Sequence, residues 1–327
     1  AAMVCGPELL VHITAGNLPT PALMSLVLGL LARSAQFVKC ARGTSLLPRL
    51  WAHSLYDTEP KLASSLEIAE WPGGTLALES ALFQEADCVT ATGSDETLAA
   101  IRRRVPVEVR FLGYGHRVSF GYITRDVLSR FTAKKLAEAA ARDIAAWNQL
   151  GCLSPQLFYV EAGGNVLPVE FAELLAVAME QHEKLEPRGP VSLDIATQIA
   201  SLRSFFEIRA LNSSETRLWA STGSTAWTVI FEANPLFQMS CAHRCVFVKA
   251  TPNLPETLHQ AEMVRGQVST VGLAASSQEA PDLARQLARW GVTRICPIGQ
   301  MQYPPLTWRH DGRPALGDLV TWTNWER

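Results

Sequence analysis

Short apolar segments alternate along the chain with longer segments of helical periodicity. The short segments are rich in Val, Ile, Phe and Thr, are bounded by Gly, Pro or Asp, and predict β-strands. They are residues 11–14, 36–39, 88–91, 107–111, 117–123, 157–161, 227–232, 245–249, 268–273 and 294–296. The predicted helices are residues 21–32, 132–149, 168–186, 194–207 and 278–290. Strands interleaved with helices predict an α/β fold with a largely parallel sheet.

The length of 327 residues predicts two domains, or one large α/β unit with an appendage, since a typical domain has ~100–200 residues. A change of composition at Arg125–Phe131, before a long alanine-rich helix, marks the predicted boundary. The first predicted strand already begins at Val11. So abrupt a start suggests that an N-terminal segment is missing from this sequence.

Composition and charge exclude several classes of protein. Hydrophobic residues make up 48% of the chain and charged residues 18%, with a net charge of −2, which is inconsistent with disorder and with the basic surface of a nucleic-acid binder. Seven scattered cysteines indicate a reducing compartment. The longest apolar run, residues 22–32, is shorter than the ~20 residues of a membrane helix. The first residues lack the charged and apolar regions of a signal peptide, so we expect none. We therefore expect a cytoplasmic enzyme with no membrane or nucleic-acid partner.

A candidate nucleophile, Cys152, follows the long predicted helix at residues 132–149. Gly151 would permit a tight bend that exposes the thiol, and Pro155 would prevent the helix from continuing. Cysteine attacks as the thiolate and is an intrinsically strong nucleophile. The alternative is a small buried hydrophobic residue, which is what most cysteines are.

Two further segments lie where a predicted strand leads into a helix. In residues 14–19, the Asn17 amide could donate a hydrogen bond to a developing oxyanion, although an asparagine of a simple turn would fit the pattern as well. In residues 91–97, Gly93 and Ser94 could present backbone amides to a phosphate. Ser94 as a plain helix N-cap explains that segment nearly as well.

Two weaker patterns contain histidine or cysteine. Cys241 and Cys245 flank His243, but their spacing is not that of a zinc knuckle, and we predict no metal site. His116 follows a Gly-Tyr-Gly loop that could present it as a proton donor, whereas an ordinary structural histidine is the simpler interpretation.

Taken in order, five segments resemble the aldehyde dehydrogenase superfamily, and most closely its LuxC-type acyl-CoA reductase branch. They are the turn at 15–19, the lysine strand at 37–39, the Gly-Ser turn at 92–94, the cysteine segment at 148–152 and the glutamate segment at 230–235. Residues 299–326 are similar to the LuxC-type branch specifically.

The resemblance implies an aldehyde-dehydrogenase-like α/β fold with a Rossmann-type cofactor domain and an α/β catalytic cysteine domain. The NADP-binding domain would comprise residues 1–127, its N-terminal part missing, and the cysteine domain residues 128–298. Residues 299–327 would return to the cofactor domain or to an oligomer interface.

By this resemblance, Cys152 would be the acyl acceptor, and Asn17 would donate to the oxyanion together with the backbone amide of Cys152. His116 is a candidate proton donor on the same path. Where aldehyde dehydrogenases place a glutamate base before Leu-Gly-Gly, this chain has Phe111 before Leu-Gly. A carboxylate there would activate water to hydrolyse the acyl-enzyme. Because an aromatic ring cannot, we expect the thioester to survive until it is reduced or passed to a thiol.

The same resemblance implies a set of cofactor contacts. Lys39 would touch the cofactor's ribose, Gly93 and Ser94 its pyrophosphate, and Glu232 the nicotinamide ribose. Members that prefer NAD carry a glutamate three residues after the lysine, where this chain has Arg42. A cation at that position favours the 2′-phosphate, so the expected cofactor is NADPH.

The expected activity is NADPH-dependent reduction of an acyl thioester to an aldehyde through a Cys152 acyl-enzyme. The acyl donor would be acyl-CoA or an acyl carrier protein, and the enzyme a homodimer or higher homo-oligomer. A cysteine acyltransferase without redox chemistry is the first alternative, and it would have no use for Lys39, Gly93 or Ser94. A non-catalytic scaffold that keeps the fold is the second. Titration with NADPH separates the expected activity from both alternatives.

Overall fold

The chain divides into two compact units. The computed structural model describes residues 2–18 and 20–326, so Pro19 of the predicted Asn17 turn lies outside the described residues. The first unit comprises the residues up to His116 together with those from Arg309 onward, and the second is Arg117–Trp308. The boundaries predicted from the sequence were 127/128 and 298/299. The structure differs because strand 118–123 belongs to the sheet of the second unit.

Helices and strands follow one another along the whole chain. Those before the second unit are β1 (Ala2–Cys5), β2 (Leu9–Ile13), α1 (Thr20–Leu31), β3 (Ala35–Cys40), α2 (Leu46–Thr58), α3 (Pro60–Ala63), β4 (Leu66–Glu70), α4 (Leu76–Glu85), β5 (Cys88–Thr92), α5 (Asp95–Arg102) and β6 (Arg110–Tyr114). Those of the second unit are β7 (Val118–Ile123), α6 (Arg130–Ala145), β8 (Pro155–Glu161), α7 (Pro168–Leu185), α8 (Leu193–Asn212), β9 (Thr216–Ala220), β10 (Thr228–Glu232), β11 (Cys245–Thr251), α9 (Leu254–Gln260), β12 (Val268–Ala274), α10 (Ala280–Trp290) and β13 (Arg294–Pro297). The first unit ends with α11 (Leu316–Leu319) and β14 (Thr321–Asn324).

Among the described residues, the first unit contains a five-stranded parallel sheet with the strand order β4-β3-β2-β5-β6. The chain moves outward from β2 to β3 and β4 and then returns to the other side of β2 at β5. This reversal is a topological switch point, where the loops after β2 and β5 open a crevice at the carboxyl edge of the sheet. A separate antiparallel pair of β1 and β14 joins the two ends of the unit.

The second unit contains, in the described part of the chain, a seven-stranded sheet with the order β13-β12-β7-β8-β11-β10-β9. Neighbouring strands are parallel except β9, which is antiparallel to β10. Both β8 and β10 are buried along their whole length, as expected for a parallel sheet covered on both faces. One face packs against α6 and α7 through residues such as Phe171, and the other against α8 and α10 through Phe206 and Leu287.

Helix α6 leads from the sheet towards the candidate nucleophile. It begins at a capping box in which Ser129 Oγ accepts from the Thr132 N–H (3.2 Å) and Thr132 Oγ1 accepts from the Ser129 N–H (2.9 Å). It ends at Ala145, four residues before the predicted end at Gln149. The prediction was too long because the apolar periodicity continues through Trp147, whose backbone is left-handed.

Each predicted strand overlaps a strand of the structure, but the one predicted at 107–111 is displaced. Val107 is 90% exposed and lies in a turn, so that β6 begins only at Arg110. The sequence analysis missed β1, β4, β9 and β14. They form sheet edges or the separate two-stranded sheet, and they lack the continuous apolar character of central strands. It also missed α2, α3, α4, α9 and α11.

No helix in the described part of the chain combines the length and the apolar character that crossing a membrane requires.

Candidate active site

Cys152 lies in the second unit, just before the amino end of β8. The side chain is half-buried, and its backbone is anchored to the sheet, because Ser119 Oγ on β7 donates to the Cys152 carbonyl at 2.7 Å. The same Oγ accepts from the Thr270 N–H on β12 at 3.1 Å. Two strands therefore fix the position of the candidate nucleophile's backbone.

The bend that presents Cys152 differs from the predicted one. Three consecutive non-glycine residues, Trp147, Asn148 and Gln149, have left-handed backbones with φ of 54°, 52° and 63°, whereas Gly151 does not. We call residues 147–152 the cysteine turn. A bulky residue in this conformation costs about 1–3 kcal/mol, so the surrounding contacts must hold the turn. Sequence reasoning chose the glycine because glycine is the usual residue for a tight bend.

A second turn of the same kind contacts the cysteine turn. Ala242, His243 and Arg244 have φ of 56°, 53° and 66°, and we call residues 240–245 the arginine turn. Arg244 is 4% exposed. Its Nε donates to Asn148 Oδ1 at 3.0 Å, and its Nη1 donates to Glu183 Oε2 at 2.7 Å. A buried, paired guanidinium therefore joins the two turns.

Gln149 and Ser240 form a second link between the turns. The buried Gln149 side chain donates from Nε2 to the Pro155 carbonyl at 2.8 Å and to Ser240 Oγ at 3.3 Å. Ser240 Oγ in turn donates to Gln156 Oε1 on β8 at 2.9 Å. The sequence offered no signal for this network, because its members lie far apart along the chain.

The Cys241 and Cys245 thiols of the arginine turn interact with each other. Their hydrogen bond lowers the pKa of Cys241, and the same contact together with burial raises the pKa of Cys245. Burial also lowers the pKa of His243. Within the described residues, no group of three or more His, Cys, Asp or Glu side chains is arranged to hold a metal ion.

Asp143, in the last turn of α6, ties that helix to residues 299–302. Its buried carboxylate accepts from the N–H of Gly299 at 2.5 Å and of Met301 at 3.0 Å. Burial raises the pKa of Asp143 to about 6 in spite of these bonds. Gln302 Nε2 extends the link to Ser154 Oγ at 3.1 Å, two residues after Cys152. Residues 299–302, which were predicted to lie outside the cysteine domain, therefore bind the segments on either side of the cysteine turn.

Glu232 lies in the second unit, as Cys152 does, but near the carboxyl edge of its sheet and away from the cysteine. It pairs in register with Lys249, and Lys249 pairs with Tyr159, four residues into β8, which places Glu232 about 13 Å along the strands from the amino edge where Cys152 lies. The Glu232 carboxylate is 2% exposed and ion-paired with Lys249 and Arg209. Contact of Glu232 with a nicotinamide ribose stays a prediction, and in the structure its carboxylate closes a buried ion pair.

The other predicted cofactor residues lie at the carboxyl edge of the first unit's sheet. Gly93 and Ser94 follow β5, and Ser94 Oγ caps α5 by accepting from the Thr97 N–H at 3.3 Å. Asp95 Oδ1 accepts from the His116 N–H at 3.2 Å, and the His116 side chain is exposed. The capping alternative for Ser94 is therefore realised, and an acidic residue lies beside it. Contact of either residue with a pyrophosphate stays a prediction.

Asn17, Lys39 and Arg42 lie on the other side of the switch point. Asn17 is exposed in the loop after β2, and the Lys39 side chain at the end of β3 is 5% exposed. Arg42 is exposed in the next loop, where the Gly43 N–H donates to Glu70 Oε1 at 2.9 Å. Hydrogen bonds from Ser45 and Gly43 lower the pKa of Glu70, so a carboxylate accompanies the predicted phosphate-binding arginine. Sequence reasoning missed Glu70 because β4 itself was not predicted.

Known proteins resemble the chain in sequence. The acyl-CoA reductase (LuxC) family model matches residues 2–322. A long-chain acyl-protein thioester reductase of Aliivibrio fischeri is 25% identical over 97% of this chain and 64% of its own length. One of Photorhabdus laumondii is 24% identical over 97% of this chain and 63% of its own length. The chain thus spans less than two thirds of the length of these relatives.

Solved structures resemble the chain in fold. A putative aldehyde dehydrogenase PutA from Anabaena variabilis has a TM-score of 0.72 at 17% identity, over 98% of this chain and 72% of that one. The P. syringae indole-3-acetaldehyde dehydrogenase AldA has a TM-score of 0.74 at 15% identity, over 99% of this chain and 70% of that one. These matches confirm the predicted aldehyde-dehydrogenase-like α/β fold.

Proposed function

The chain belongs to the acyl-CoA reductase (LuxC) family, and we propose that it reduces an acyl thioester to an aldehyde, with Cys152 as acyl acceptor and NADPH as hydride donor. The observation that carries the proposal is the position of Cys152. It is a half-buried thiol just before a buried strand, on a turn that buried hydrogen bonds hold in a left-handed conformation. The relatives are named long-chain acyl-protein thioester reductases, which supports an acyl thioester as substrate.

In the proposed reaction, the Cys152 thiolate attacks the carbonyl carbon of the acyl thioester. The bond from that carbon to the donor's sulfur breaks, the donor leaves as a thiolate that takes up a proton, and the acyl group becomes a thioester of Cys152. The Cys152 backbone N–H stabilises the oxyanion, with the Asn17 amide proposed as a second donor. Once the acyl carbon has gained the hydride that bound NADPH would supply, its bond to the Cys152 sulfur breaks and the aldehyde leaves. His116 is the proposed donor of the proton that the released thiolate takes up.

The sheet of the first unit supports the proposal of a dinucleotide site. This parallel sheet has a switch point between β2 and β5, with Lys39 at the end of β3 and Arg42 in the following loop as cationic groups. We propose that these two residues, with Gly93 and Ser94, hold NADPH, which when bound supplies the hydride. Phe111 packs beneath the Arg102 guanidinium at 5.7 Å and has no group that could activate water against the acyl-enzyme.

The test is Cys152→Ala, with Cys296→Ala as the matched control. Cys296 is a half-buried cysteine of the same unit on β13, and burial raises its pKa to about 11. We expect Cys152→Ala to lose acyl labelling by radioactive acyl-CoA and to form aldehyde at least about 1,000-fold more slowly. Its fluorescence titration with NADPH and the activity of Cys296→Ala should be unchanged. Aldehyde formation that persists in Cys152→Ala would refute the assignment.

The acyl donor and the redox step are tested separately. Acyl-CoA and an acylated carrier protein of equal chain length serve as parallel substrates, and the names of the relatives lead us to expect faster reduction of the protein-bound acyl group. Labelling of Cys152 without aldehyde formation in the presence of NADPH would favour the acyltransferase alternative. We also propose that the protein is a homo-oligomer, which light scattering of the purified protein measures.

A further inference from the structure

Two links join the cysteine turn to the arginine turn. Arg244 Nε donates to Asn148 Oδ1 at 3.0 Å, and Gln149 Nε2 donates to Ser240 Oγ at 3.3 Å. Each turn holds three consecutive non-glycine residues in the left-handed region. Non-glycine residues are uncommon in this conformation, although asparagine enters it more readily than most, and a run of three such residues needs contacts that hold it.

We infer that Arg244 is a positioning residue for Cys152 and acts through Asn148. The inference rests on the proposed function, in which Cys152 is the nucleophile. Asn148 is the central left-handed residue of the cysteine turn, and its side-chain amide is bound at both ends. Its Nδ2 donates to the Arg188 carbonyl at 3.1 Å while its Oδ1 accepts from Arg244. Holding this short side chain at two points holds the backbone of residue 148.

Arg244 is itself anchored to the frame of the second unit. Its Nη1 donates to Glu183 Oε2 at 2.7 Å and to the Glu186 carbonyl at 2.8 Å, at the end of α7. Its own carbonyl accepts from the Thr228 N–H at the start of β10 at 2.9 Å. The planar guanidinium reaches Asn148 and Glu183 with separate nitrogens, which a single ammonium group cannot do in the same geometry.

The consequence for Cys152 follows from the short distance along the chain. The Leu150 N–H donates to the Trp147 carbonyl at 3.1 Å, so the path from Asn148 to Cys152 is a closed turn. Ser119 fixes the far side of that turn through the Cys152 carbonyl. Arg244 thus holds the amino-terminal side of the cysteine turn through Asn148. A displacement of about 1 Å at a reacting group can lower the rate about 100-fold.

The test compares Arg244→Met with Arg203→Met. Arg203 is another half-buried arginine of the second unit, and its guanidinium binds Thr228 Oγ1, Ser221 and Ser224 but not the cysteine turn. We expect Arg244→Met to lower kcat about 100-fold with little change in KM. We also expect it to change the rate at which iodoacetamide alkylates Cys152, measured by peptide mass spectrometry. Arg203→Met should lower the melting temperature without either effect.

A second pair of variants probes the same bond from the other side. Asn148→Ala leaves the Arg244–Glu183 pair in place but removes the side-chain hydrogen bond from Arg244 to residue 148. Alanine disfavours the left-handed conformation, so kcat should fall as in Arg244→Met. Asn148→Gly adopts the left-handed conformation without help and should keep most of the activity. In the Asn148→Gly background, adding Arg244→Met should lower kcat by less than about threefold. The comparison of Asn148→Ala with Asn148→Gly tests the bond even where Arg244→Met does not fold.

The outcomes separate this inference from the proposed function. If Arg244→Met lowers kcat as strongly in the Asn148→Gly background as in the wild type, or affects kcat and Cys152 alkylation no more than Arg203→Met does, the positioning role is wrong. If aldehyde formation does not depend on Cys152, the proposed function is wrong. The alkylation rate of Cys152 still reports in that case on whether Arg244 positions the thiol.

Discussion

Most candidate residues of the first unit lie on loops that follow strands, whereas Cys152 of the second unit lies before a strand on a turn held by distant residues. In the first unit, Gly93 and Ser94 come directly after β5 and Arg42 shortly after β3. In the second unit, the cysteine turn depends on Arg244, which is 96 positions further along the chain than Asn148. A crevice at the carboxyl edge follows from strand order alone, while a strained turn needs specific buried partners.

The difference implies that the two units respond unequally to the loss of one polar side chain. Substitutions on the loops of the first unit remove groups that are exposed or that act only within a few residues. Substitutions around the cysteine turn leave buried donors without acceptors, and an unsatisfied buried group costs about 1–3 kcal/mol. We therefore expect the largest losses of stability in the second unit.

The largest expected effect is that of Asp143→Ala in the second unit. The substitution leaves the buried N–H groups of Gly299 and Met301 without their acceptor, so the free energy of unfolding should fall by about 3 kcal/mol. Aldehyde formation should fall as well, because Gln302 then holds Ser154 less firmly. Asp282→Ala is the control, since its carboxylate is 68% exposed and should cost less than about 0.5 kcal/mol. Equal losses of unfolding free energy in the two variants, measured by urea unfolding, would contradict this prediction.

Acidification should shift the stabilities of the two units in opposite directions. Burial lowers the pKa of His12, in β2 of the first unit, from 6.5 to about 4, and raises that of Asp143 from 3.8 to about 6. The burial of neutral His12 therefore stabilises the folded first unit above about pH 6.5, and this contribution is lost as the pH falls towards 4. The Asp143 contribution is fully present below about pH 4 and is lost as the pH rises through 6. Each is on the order of 2–3 kcal/mol.

Native-state hydrogen exchange measures this pH effect in each unit separately. Between pH 6.5 and 4, amides of β2 and β5 should exchange more readily relative to amides of α6 and β8. His12→Gln should remove the trend in the first unit only, and Asp143→Asn that in the second only. A parallel loss of protection in both units would show that neither buried group governs the response.

Local sequence was sufficient for much of the fold and for less of the site. Central strands such as β8 and β10 are continuous apolar runs, and Ser94 marks the start of α5, so both were predictable from a few residues. The end of α6 and the left-handed cysteine turn were not, because the helical periodicity continues through Trp147. Arg244 binds Asn148 of the turn that follows the helix, and no local pattern encodes such a contact.

Motif resemblance also has a limit that Glu232 illustrates. The order of motifs along the chain identified the family and Cys152 as the candidate nucleophile. It could not show that the carboxylate of Glu232 lies between Lys249 and Arg209, near the far end of the sheet from Cys152. A short motif fixes a residue's neighbours in sequence, whereas a site depends on which strand end the residue occupies.

A smaller effect is expected on cofactor preference, through Arg42 and Glu70 of the first unit. Arg42→Glu should lower the ratio of kcat/KM for NADPH over NADH about tenfold, since the 2′-phosphate loses a cation. Glu70→Gln should shift the ratio severalfold the other way, because a carboxylate bound by the Gly43 N–H opposes the phosphate. Arg33→Glu, at the turn that precedes β3, is the control for a change of charge alone. If Arg42→Glu leaves the ratio unaltered, the loop does not bind the 2′-phosphate.

The smallest effect compares two helix caps, Ser94 of the first unit and Ser129 of the second. Each side chain accepts from the backbone N–H three residues on, so replacement by alanine should cost about 1 kcal/mol in either unit. Only Ser94 is proposed to touch NADPH. Glycine at a cap costs a few tenths of a kcal/mol and removes the hydroxyl, so Ser94→Gly should weaken NADPH binding in a fluorescence titration while Ser129→Gly does not. Equal affinities in the two glycine variants would mean that the Ser94 hydroxyl does not contact NADPH, since glycine keeps the backbone amide of residue 94.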